Sequence, residues 1–263
     1  MIAKWQRKMK IGLFIKEELN DTEVATSIIS KISEYGLEFD QENPDVVIFV
    51  GGDGTFLRAV HEYLPNIDQI CFLGINQGTL GFYPDFEIED LDEIFTSLKN
   101  DEYSVRTCSL IEALFGNQII LAVNEIRIEN PFHTLIADIF VNDEYLETYR
   151  GNGLCVASTL GSSAYNKSLG GAIIASNLEV MQLTEIAPIN NRIYRSMNSS
   201  IVVDENSTII LRGEFKECVI GYDHLTTKLD TNNVTFKLSN IHINIVNKTG
   251  QNIVHKLKEA LIK

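Results

Sequence analysis

The densest group of residues suited to chemistry is the turn Gly-Gly-Asp-Gly-Thr at 51–55. It follows an apolar run at 45–50 and precedes a stretch with helical spacing, so it lies between a buried strand and a helix. Glycine at such a junction permits positive φ angles and close approach of a ligand, and the N–H groups of the helix N-terminus attract phosphate. The turn therefore predicts an anion-binding site.

Asp53 inside this turn needs a separate explanation, because a carboxylate would repel a phosphate at contact distance. It more naturally faces a hydroxyl group as acceptor or general base, or holds a metal ion that accompanies the phosphates. The structural alternative is a tight turn in which the aspartate caps the helix. The sequence contains neither G-x-x-x-x-G-K-[ST] nor G-x-G-x-x-G, so neither a P-loop nor a standard Rossmann fingerprint is supported.

Two further polar segments interrupt apolar runs. The turn at 76–82, Asn-Gln-Gly-Thr-Leu-Gly-Phe, leaves a second buried strand, where open α/β sheets place ligands, and the two turns side by side would form a cleft. An ordinary βα loop is the alternative there. Asn124 and Glu125 break the alternation of a β segment, and burying them would favour a ligand with hydroxyl or amide groups. The alternative is a polar pair at a solvated strand end.

Small and hydroxyl-bearing residues are concentrated at 150–171, together with Tyr165. Many donors with little bulk suit a loop that folds around a ribose, an amide or a planar base. A plain Ser/Gly-rich connection is the alternative interpretation.

The elements that must position these residues change in character near residue 100. Before it, strands at 10–16, 45–50 and 70–75 alternate with helices, the first capped by Asn20 and the third at about 88–99, which predicts a parallel three-layer α/β domain at 1–99. After it, short β-branched segments separated by Asn, Gly and Asp predict an antiparallel β-rich domain at 100–249. A last helix at about 250–263 is expected to pack back on the first domain.

Composition narrows the class of protein. The 263 residues suffice for a sizeable core, no apolar run is long enough to span a bilayer, and no signal peptide is indicated, so a soluble cytoplasmic protein is expected. The net charge of −14 with scattered Lys and Arg argues against nucleic acid or an anionic membrane as partner. Four widely spaced cysteines fit neither a zinc site nor a disulfide framework and are expected to be reduced.

Taken together and in this order, the four polar segments resemble the NAD kinase family, which shares the Gly-Gly-Asp-Gly turn with diacylglycerol kinases and phosphofructokinases. The resemblance covers about residues 10–225. Further segments are similar to the Firmicute-type branch of the family, at 81–83, 140–154, 179–192 and 222–224. It implies an N-terminal α/β domain, a C-terminal β domain that binds NAD, and a homodimer or homotetramer.

The resemblance also implies a role for each matched residue. Asp53 would contact the reacting 2′-hydroxyl of the adenosine ribose and act as the catalytic group. The remaining matched residues are all expected to bind substrate. Gly52 and Gly54 lie on the phosphate side, Asn124 and Glu125 around the adenosine ribose, and Asp223 near the ribose-phosphate region. Phe82 lies on the adenine side, and the residues around adenine and the nicotinamide portion are Ser163, Ala164, Tyr165 and Ser168. Substrate binding without a more specific role is expected for Thr55, Arg58, Asn76, Asn152 and Leu160.

The sequence departs from the family pattern at three places. Ser158-Thr159-Leu160-Gly161-Ser162-Ser163 lacks the usual Pro, and Leu160 replaces a hydroxyl that would donate to the ligand. Asn152 stands where Asp is usual, and Ser176 replaces a usual Pro. These departures are expected to affect the affinity for the ligand and the catalytic efficiency more than the presence of the activity. Restoring the usual residue by Asn152→Asp is expected to tighten NAD binding.

The expected activity is transfer of a phosphoryl group from ATP, or from polyphosphate, to the 2′-hydroxyl of NAD to give NADP. Mg²⁺ or another divalent cation would be carried with the nucleotide, with no metal site of the protein's own. Two alternatives remain: a lipid kinase that shares the turn, which would need a basic or apolar membrane face, and a non-catalytic dinucleotide-binding regulator. Retention of Asp53 argues against the regulator, because a pure binder needs no carboxylate near phosphates.

Overall fold

The structure is a computed structural model that describes residues 7–15, 23–77, 81–175, 178–248 and 253–262. The chain divides into two compact units, residues 1–107 with 243–263 and residues 108–242. The sequence analysis places the two domains at 1–99 and 100–249, and these domain boundaries remain a prediction. The expected cap at Asn20, the substitution at Ser176 and residues 78–80 of the second turn lie outside the described residues.

The helices and strands of the described residues have the following bounds. The helices are α1 (Glu23–Glu34), α2 (Asp53–Glu62), α3 (Leu91–Asn100), α4 (Tyr165–Ser168) and α5 (Ile253–Leu261). The strands are β1 (Lys10–Ile15), β2 (Glu38–Phe39), β3 (Val46–Val50), β4 (Cys71–Ile75), β5 (Ser104–Phe115), β6 (Gln118–Ala122), β7 (Glu125–Glu129), β8 (Leu135–Val141), β9 (Glu144–Gly151), β10 (Gly153–Ser158), β11 (Val180–Ile186), β12 (Ile201–Asp204), β13 (Ile209–Gly213), β14 (Val219–Tyr222), β15 (Leu225–Lys228) and β16 (Asn233–Asn247).

The first unit is a parallel sheet with helices on both faces. Its strands lie in the order β2, β1, β3, β4, and the end of β16 pairs in parallel with β4. Ile48 on one face of β3 packs in a core with residues of α1 and α3. Phe49 on the other face lies 5.1 Å from Phe56 of α2, ring centroid to ring centroid. Because alternate strand residues face opposite sides, this confirms the three-layer α/β prediction.

The second unit consists of antiparallel strands. One sheet has the order β12, β11, β10, β7, β14, β15, and in the other β16, β13, β8 and β9 pair in turn. Alternate residues of the two sheets, such as Ile126, Val156 and Phe236, share one core. Of the candidate residues of this unit, Glu125 lies on a strand of the six-stranded sheet, and the others lie in the segments before or after its strands.

One expectation about an individual segment is wrong. The stretch at 150–171 is not one loop, because Gly153–Ser158 forms β10 and all six of its residues are buried. Strand pairing, which the local pattern does not specify, overrides the small residues there.

Candidate active site

The glycine turn leaves a strand that is buried along its whole length and enters α2. Gly51 has φ +145, and an added Cβ there would lie 2.4 Å from Oγ1 of Thr55, so only glycine fits. Added Cβ atoms at Gly52 and Gly54 would meet nothing within 4 Å. The structure therefore places open space beside the first amides of a ten-residue helix, as an anion-binding turn requires.

Asp53 is the first residue of α2, yet its side chain does not cap this helix. Its Oδ1 atom accepts hydrogen bonds from the backbone N–H of Phe82, at 2.8 Å, and of Tyr83, at 3.0 Å. The helix-capping alternative is therefore wrong. The expectation that the two turns lie side by side is confirmed, since this half-buried carboxylate joins them directly.

The second turn is built to hold those two amides. An added Cβ at Gly81 would lie 2.6 Å from Oδ1 of Asp53, so this residue also has to be glycine. The ring of Tyr83 stacks on Phe56 at 4.1 Å between centroids. Upstream, the buried Asn76 donates from its backbone N–H to the carbonyl of Phe86, at 2.6 Å. Packing and backbone bonds thus fix the donors that Asp53 uses.

Other predicted residues of the first unit differ in their exposure. Thr55 is buried beneath Gly51, and Arg58 is exposed on α2. Phe82 is half-buried. Thr55 therefore has a packing role in this structure, whereas Arg58 and Phe82 have surface available for a ligand.

In the second unit Asp223 holds the backbone that carries Asn124. Its carboxylate oxygens accept from the N–H groups of Val123, at 2.9 Å, and Asn124, at 2.7 Å. Asp223 has φ +48, and its own N–H donates to the carbonyl of Glu125, at 3.2 Å. Asp223 thus fixes the bend between β6 and β7.

The segment after β10 closes on the same bend. Ser158 donates from Oγ to the carbonyl of Val123, at 2.6 Å, and from its N–H to the carbonyl of Asn124, at 2.8 Å. An added Cβ at Gly161 would lie 1.9 Å from the carbonyl oxygen of Asn124, so this approach requires glycine. The structure therefore brings together residues 123–125, 158–161 and Asp223, which are far apart in sequence.

Glu125 is 4 % exposed and lies on a strand with neighbours on both sides, so the solvated-strand-end alternative is wrong. Its Oε1 accepts from the guanidinium of Arg127, at 3.1 Å, while Oε2 is buried with no hydrogen-bond partner among the described residues. Burial raises the pKa of Glu125 to about 7, against the opposing effect of Arg127. A donor from a ligand would satisfy Oε2.

The remaining predicted residues lie along the chain after β9 and β10. Leu160 is buried, Ser163 and Ala164 are half-buried, and Ser168 is exposed. Tyr165 is 36 % exposed, and the guanidinium carbon of Arg127 lies 5.0 Å from its ring centroid, so it is a surface residue and not a core residue.

Asn152 makes a contact that an aspartate could not make. Its side chain is exposed, and Nδ2 donates to the carbonyl of Asn130 at 3.1 Å. A carboxylate has no donor and would face that carbonyl with negative charge. Asn152, which stands where the family pattern has Asp, is therefore held by a hydrogen bond within this unit.

Sequence reasoning missed Arg127 and Asn166. Arg127 binds Glu125 and Glu129 on one face of β7, a charged i, i+2, i+4 alternation that the strand period could have revealed. Asn166 is fully buried and accepts from the hydroxyl of Thr184 at 2.7 Å. No local signal marks Asn166, because its burial depends on where α4 lies against β11.

Several expectations concern metals, thiols and membranes. Among the described residues no group of three or more His, Cys, Asp or Glu side chains could hold a metal ion. All four cysteines are free thiols. None of the helices in the described ranges combines the length and the apolar character needed to cross a membrane.

The chain thus combines an α/β unit that carries a glycine turn before a helix with a β unit that carries a buried polar site. The chain belongs to the ATP-NAD kinase family: the family's N-terminal domain matches residues 5–103 and its C-terminal domain matches residues 123–247. It is 36% identical over 225 residues to an NAD kinase of Leuconostoc citreum, covering 84% of this chain and 85% of that one. It is 34% identical over 262 residues to an NAD kinase of Latilactobacillus sakei, covering 97% and 98%.

Solved structures share the fold. Yeast NADH kinase complexed with NADH superposes with a TM-score of 0.84 at 20% identity, over 98% of this chain and 89% of that one. An NAD kinase from Archaeoglobus fulgidus in complex with ATP gives 0.78 at 20% identity, over 95% and 99%. At this level of identity the likeness establishes the two-part fold.

Proposed function

We infer that this chain is an NAD kinase, and we propose that it transfers a phosphoryl group from ATP to the 2′-hydroxyl of the adenosine ribose of NAD. Membership of the family supports the activity. The observation that supports the assignment of roles is Asp53: its carboxylate is held by two amides of the neighbouring turn, at the N-terminus of a helix with open space beside its first amides. Inorganic polyphosphate is a second donor that the same chemistry would accept.

We assign Asp53 the role of general base. Oδ1 is engaged by Phe82 and Tyr83, so Oδ2 would accept the proton of the hydroxyl as it attacks phosphorus. The hydrogen bonds from these two backbone amides fix the orientation of the carboxylate before substrate arrives, so that no reorganisation is needed during the reaction. A positioned general base contributes about 10²–10⁴-fold in rate.

The donor phosphates would lie against the first amides of α2, near Gly52, Gly54 and the side chain of Arg58. The partial positive charge of the helix N-terminus favours them. The donor enters as its complex with Mg²⁺ or another divalent cation, which neutralises phosphate charge as the bond to the leaving oxygen loosens.

NAD would bind through the buried polar groups of the second unit. Glu125 offers the unsatisfied Oε2 to a ribose hydroxyl, with Asn124 beside it and Asp223 fixing their backbone. In the second unit we expect the adenine and nicotinamide rings to contact a set of residues that combines hydroxyl, amide, aromatic and small side chains: Asn152, Leu160, Ser163, Ala164, Tyr165 and Ser168. In the first unit, Asn76 and Phe82 are expected to bind substrate. Thr55 supports the phosphate turn from below.

A direct assay separates the proposed function from its two alternatives. Purified protein is incubated with NAD, ATP and MgCl₂, and NADP is detected with an NADP-specific dehydrogenase. Formation of NADP supports the proposal. Phosphorylation of diacylglycerol in mixed micelles, without NADP, would indicate the lipid kinase, and NAD binding by calorimetry without any turnover would indicate a regulator.

We also propose a cytoplasmic homo-oligomer, a dimer or a tetramer. Four free thiols suit a reducing compartment, and large apolar side chains such as Phe132, 87 % exposed, and Ile193, 80 % exposed, suit burial against another copy. Sedimentation velocity of the purified protein measures the assembly, and a monomer at micromolar concentration would contradict it.

A further inference from the structure

The last helix of the chain contacts the turn that holds Asp53. Nζ of Lys256, on α5, donates to the carbonyl oxygen of Phe82 at 2.9 Å. The same ammonium forms an ion pair with Asp85. All of these residues belong to the first unit.

This ion pair is well shielded from water. The side chain of Asp85 is 2% exposed and that of Lys256 is 12% exposed. Asp85 also accepts from the backbone N–H of Lys248, at 3.3 Å. A buried carboxylate with these partners gives the ammonium a fixed place, from which it reaches the backbone of Phe82.

The carbonyl that Lys256 contacts belongs to the peptide group whose N–H serves Asp53. The carbonyl of Phe82 and the N–H of Tyr83 lie in the same planar peptide unit, and that N–H donates to Oδ1 of Asp53 at 3.0 Å. A cation at the carbonyl oxygen polarises the peptide and strengthens the N–H as a donor. It also prevents the peptide plane from rotating away from Asp53.

We propose that Lys256 is a positioning residue for phosphoryl transfer, acting on Asp53 through the peptide group between Phe82 and Tyr83. The inference rests on the proposed function, because it concerns the group assigned there as general base. It adds α5, which carries none of the sequence motifs, to the catalytic unit. Asp85 has the role of anchoring the ammonium.

The test compares Lys256→Met, Lys256→Arg and the control Lys258→Met, a neighbour on α5 whose side chain is exposed. Lys256→Met should lower kcat by about tenfold to a hundredfold with little change in KM for NAD, since small misplacements of a catalytic group have effects of this size. Lys256→Arg should recover part of the loss because it keeps a cation. Lys258→Met should retain the wild-type rate.

A double variant separates positioning from stability. Lys256→Met alone leaves the buried carboxylate of Asp85 without its cation and should lower the thermal midpoint. Lys256→Met with Asp85→Asn removes both charges, so the midpoint should recover while kcat stays low, because the carbonyl of Phe82 still lacks its donor. Recovery of kcat together with the midpoint would overturn the proposal, as would a wild-type kcat in Lys256→Met. Absence of NADP from the wild-type protein would instead overturn the proposed function.

Discussion

Asp53 in the first unit and Glu125 in the second are both carboxylates beside a strand end, but their surroundings differ. Asp53 is half-buried, and its Oδ1 accepts two backbone N–H groups. Glu125 is almost fully buried, binds one guanidinium and has an oxygen without a partner. The protein itself supplies the donors at Asp53, whereas it leaves part of that task at Glu125 to another group.

This difference separates two uses of a carboxylate. Backbone donors fix the direction of Asp53 without neutralising it, which suits a group that must take a proton in a defined geometry. An unsatisfied oxygen in a dry environment gains most from a new hydrogen bond, which suits a group that binds a hydroxyl. The predictions below test that division between catalysis and binding.

The largest effect is expected for Asp53→Asn. Asparagine can keep an oxygen toward the two amides but loses the charge and the capacity to take a proton. We expect kcat to fall by about 10²-fold or more, with a much smaller change in NAD affinity, measured by steady-state kinetics and calorimetry. A near wild-type rate would mean that Asp53 only connects the two turns and has no part in catalysis. Simultaneous loss of NAD binding and turnover would mean that Asp53 is a binding group.

Glu125 should give stability a dependence on pH. Its pKa is raised from 4.5 to about 7, so the folded state binds a proton that the unfolded state releases, and stability falls as pH rises between these values. The shift corresponds to about 3 kcal/mol, present below pH ~4.5 and lost above pH ~7. Denaturant unfolding of Glu125→Gln should therefore show a gain over wild type that grows across this range.

Two controls sharpen that measurement. Burial also raises the pKa of Glu185 to about 7, so Glu185→Gln should remove a further part of the pH dependence, and the stability of the double variant should hardly change with pH across this range.

NAD binding should release protons near pH 6, because a hydroxyl donor at Oε2 of Glu125 favours the ionised carboxylate. Calorimetry in buffers of different ionisation enthalpy measures this release, and equal release by Glu125→Gln would place the proton elsewhere.

The two regions also differ in how far the sequence foretold them. In the first unit the glycine turn, its strand and its helix are adjacent in sequence, so local rules gave the junction, and Asp53 could be singled out. The bonds from Asp53 to the amides of Phe82 and Tyr83 join turns about thirty residues apart in sequence, and no local pattern specifies such contacts. Lys256 is more distant still.

In the second unit most of the arrangement is non-local. Asn124 and Glu125 could be selected because they break an apolar alternation, but the contacts that fix their backbone come from Asp223 and Ser158. Small residues predict a loop at Gly153–Ser158, whereas antiparallel neighbours on both sides make this segment a central strand. The family resemblance supplied Asp223, which spacing alone would not have found.

A smaller effect is expected for Tyr165→Ala. The ring is exposed enough to contact a base and already lies against Arg127. Loss of one aromatic contact is worth about 1 kcal/mol, so KM for NAD should rise about fivefold while the thermal midpoint of the apo protein hardly changes. Tyr165→Phe keeps the ring and should retain most of the affinity. A large fall in midpoint would instead give Tyr165 a structural role.

The smallest effect is expected for Asn152→Asp, which sets a binding gain against a structural loss. Aspartate cannot donate to the carbonyl of Asn130, so stability should fall by about 1 kcal/mol and the thermal midpoint by about 2–4 °C. If this position faces the dinucleotide, the stronger acceptor should nevertheless tighten NAD binding. Asn152→Ala is the matched control, since it removes the donor without adding charge and should lower the midpoint without tightening NAD. Equal affinities of all three proteins would mean that position 152 supports the bend at Asn130 and does not contact NAD.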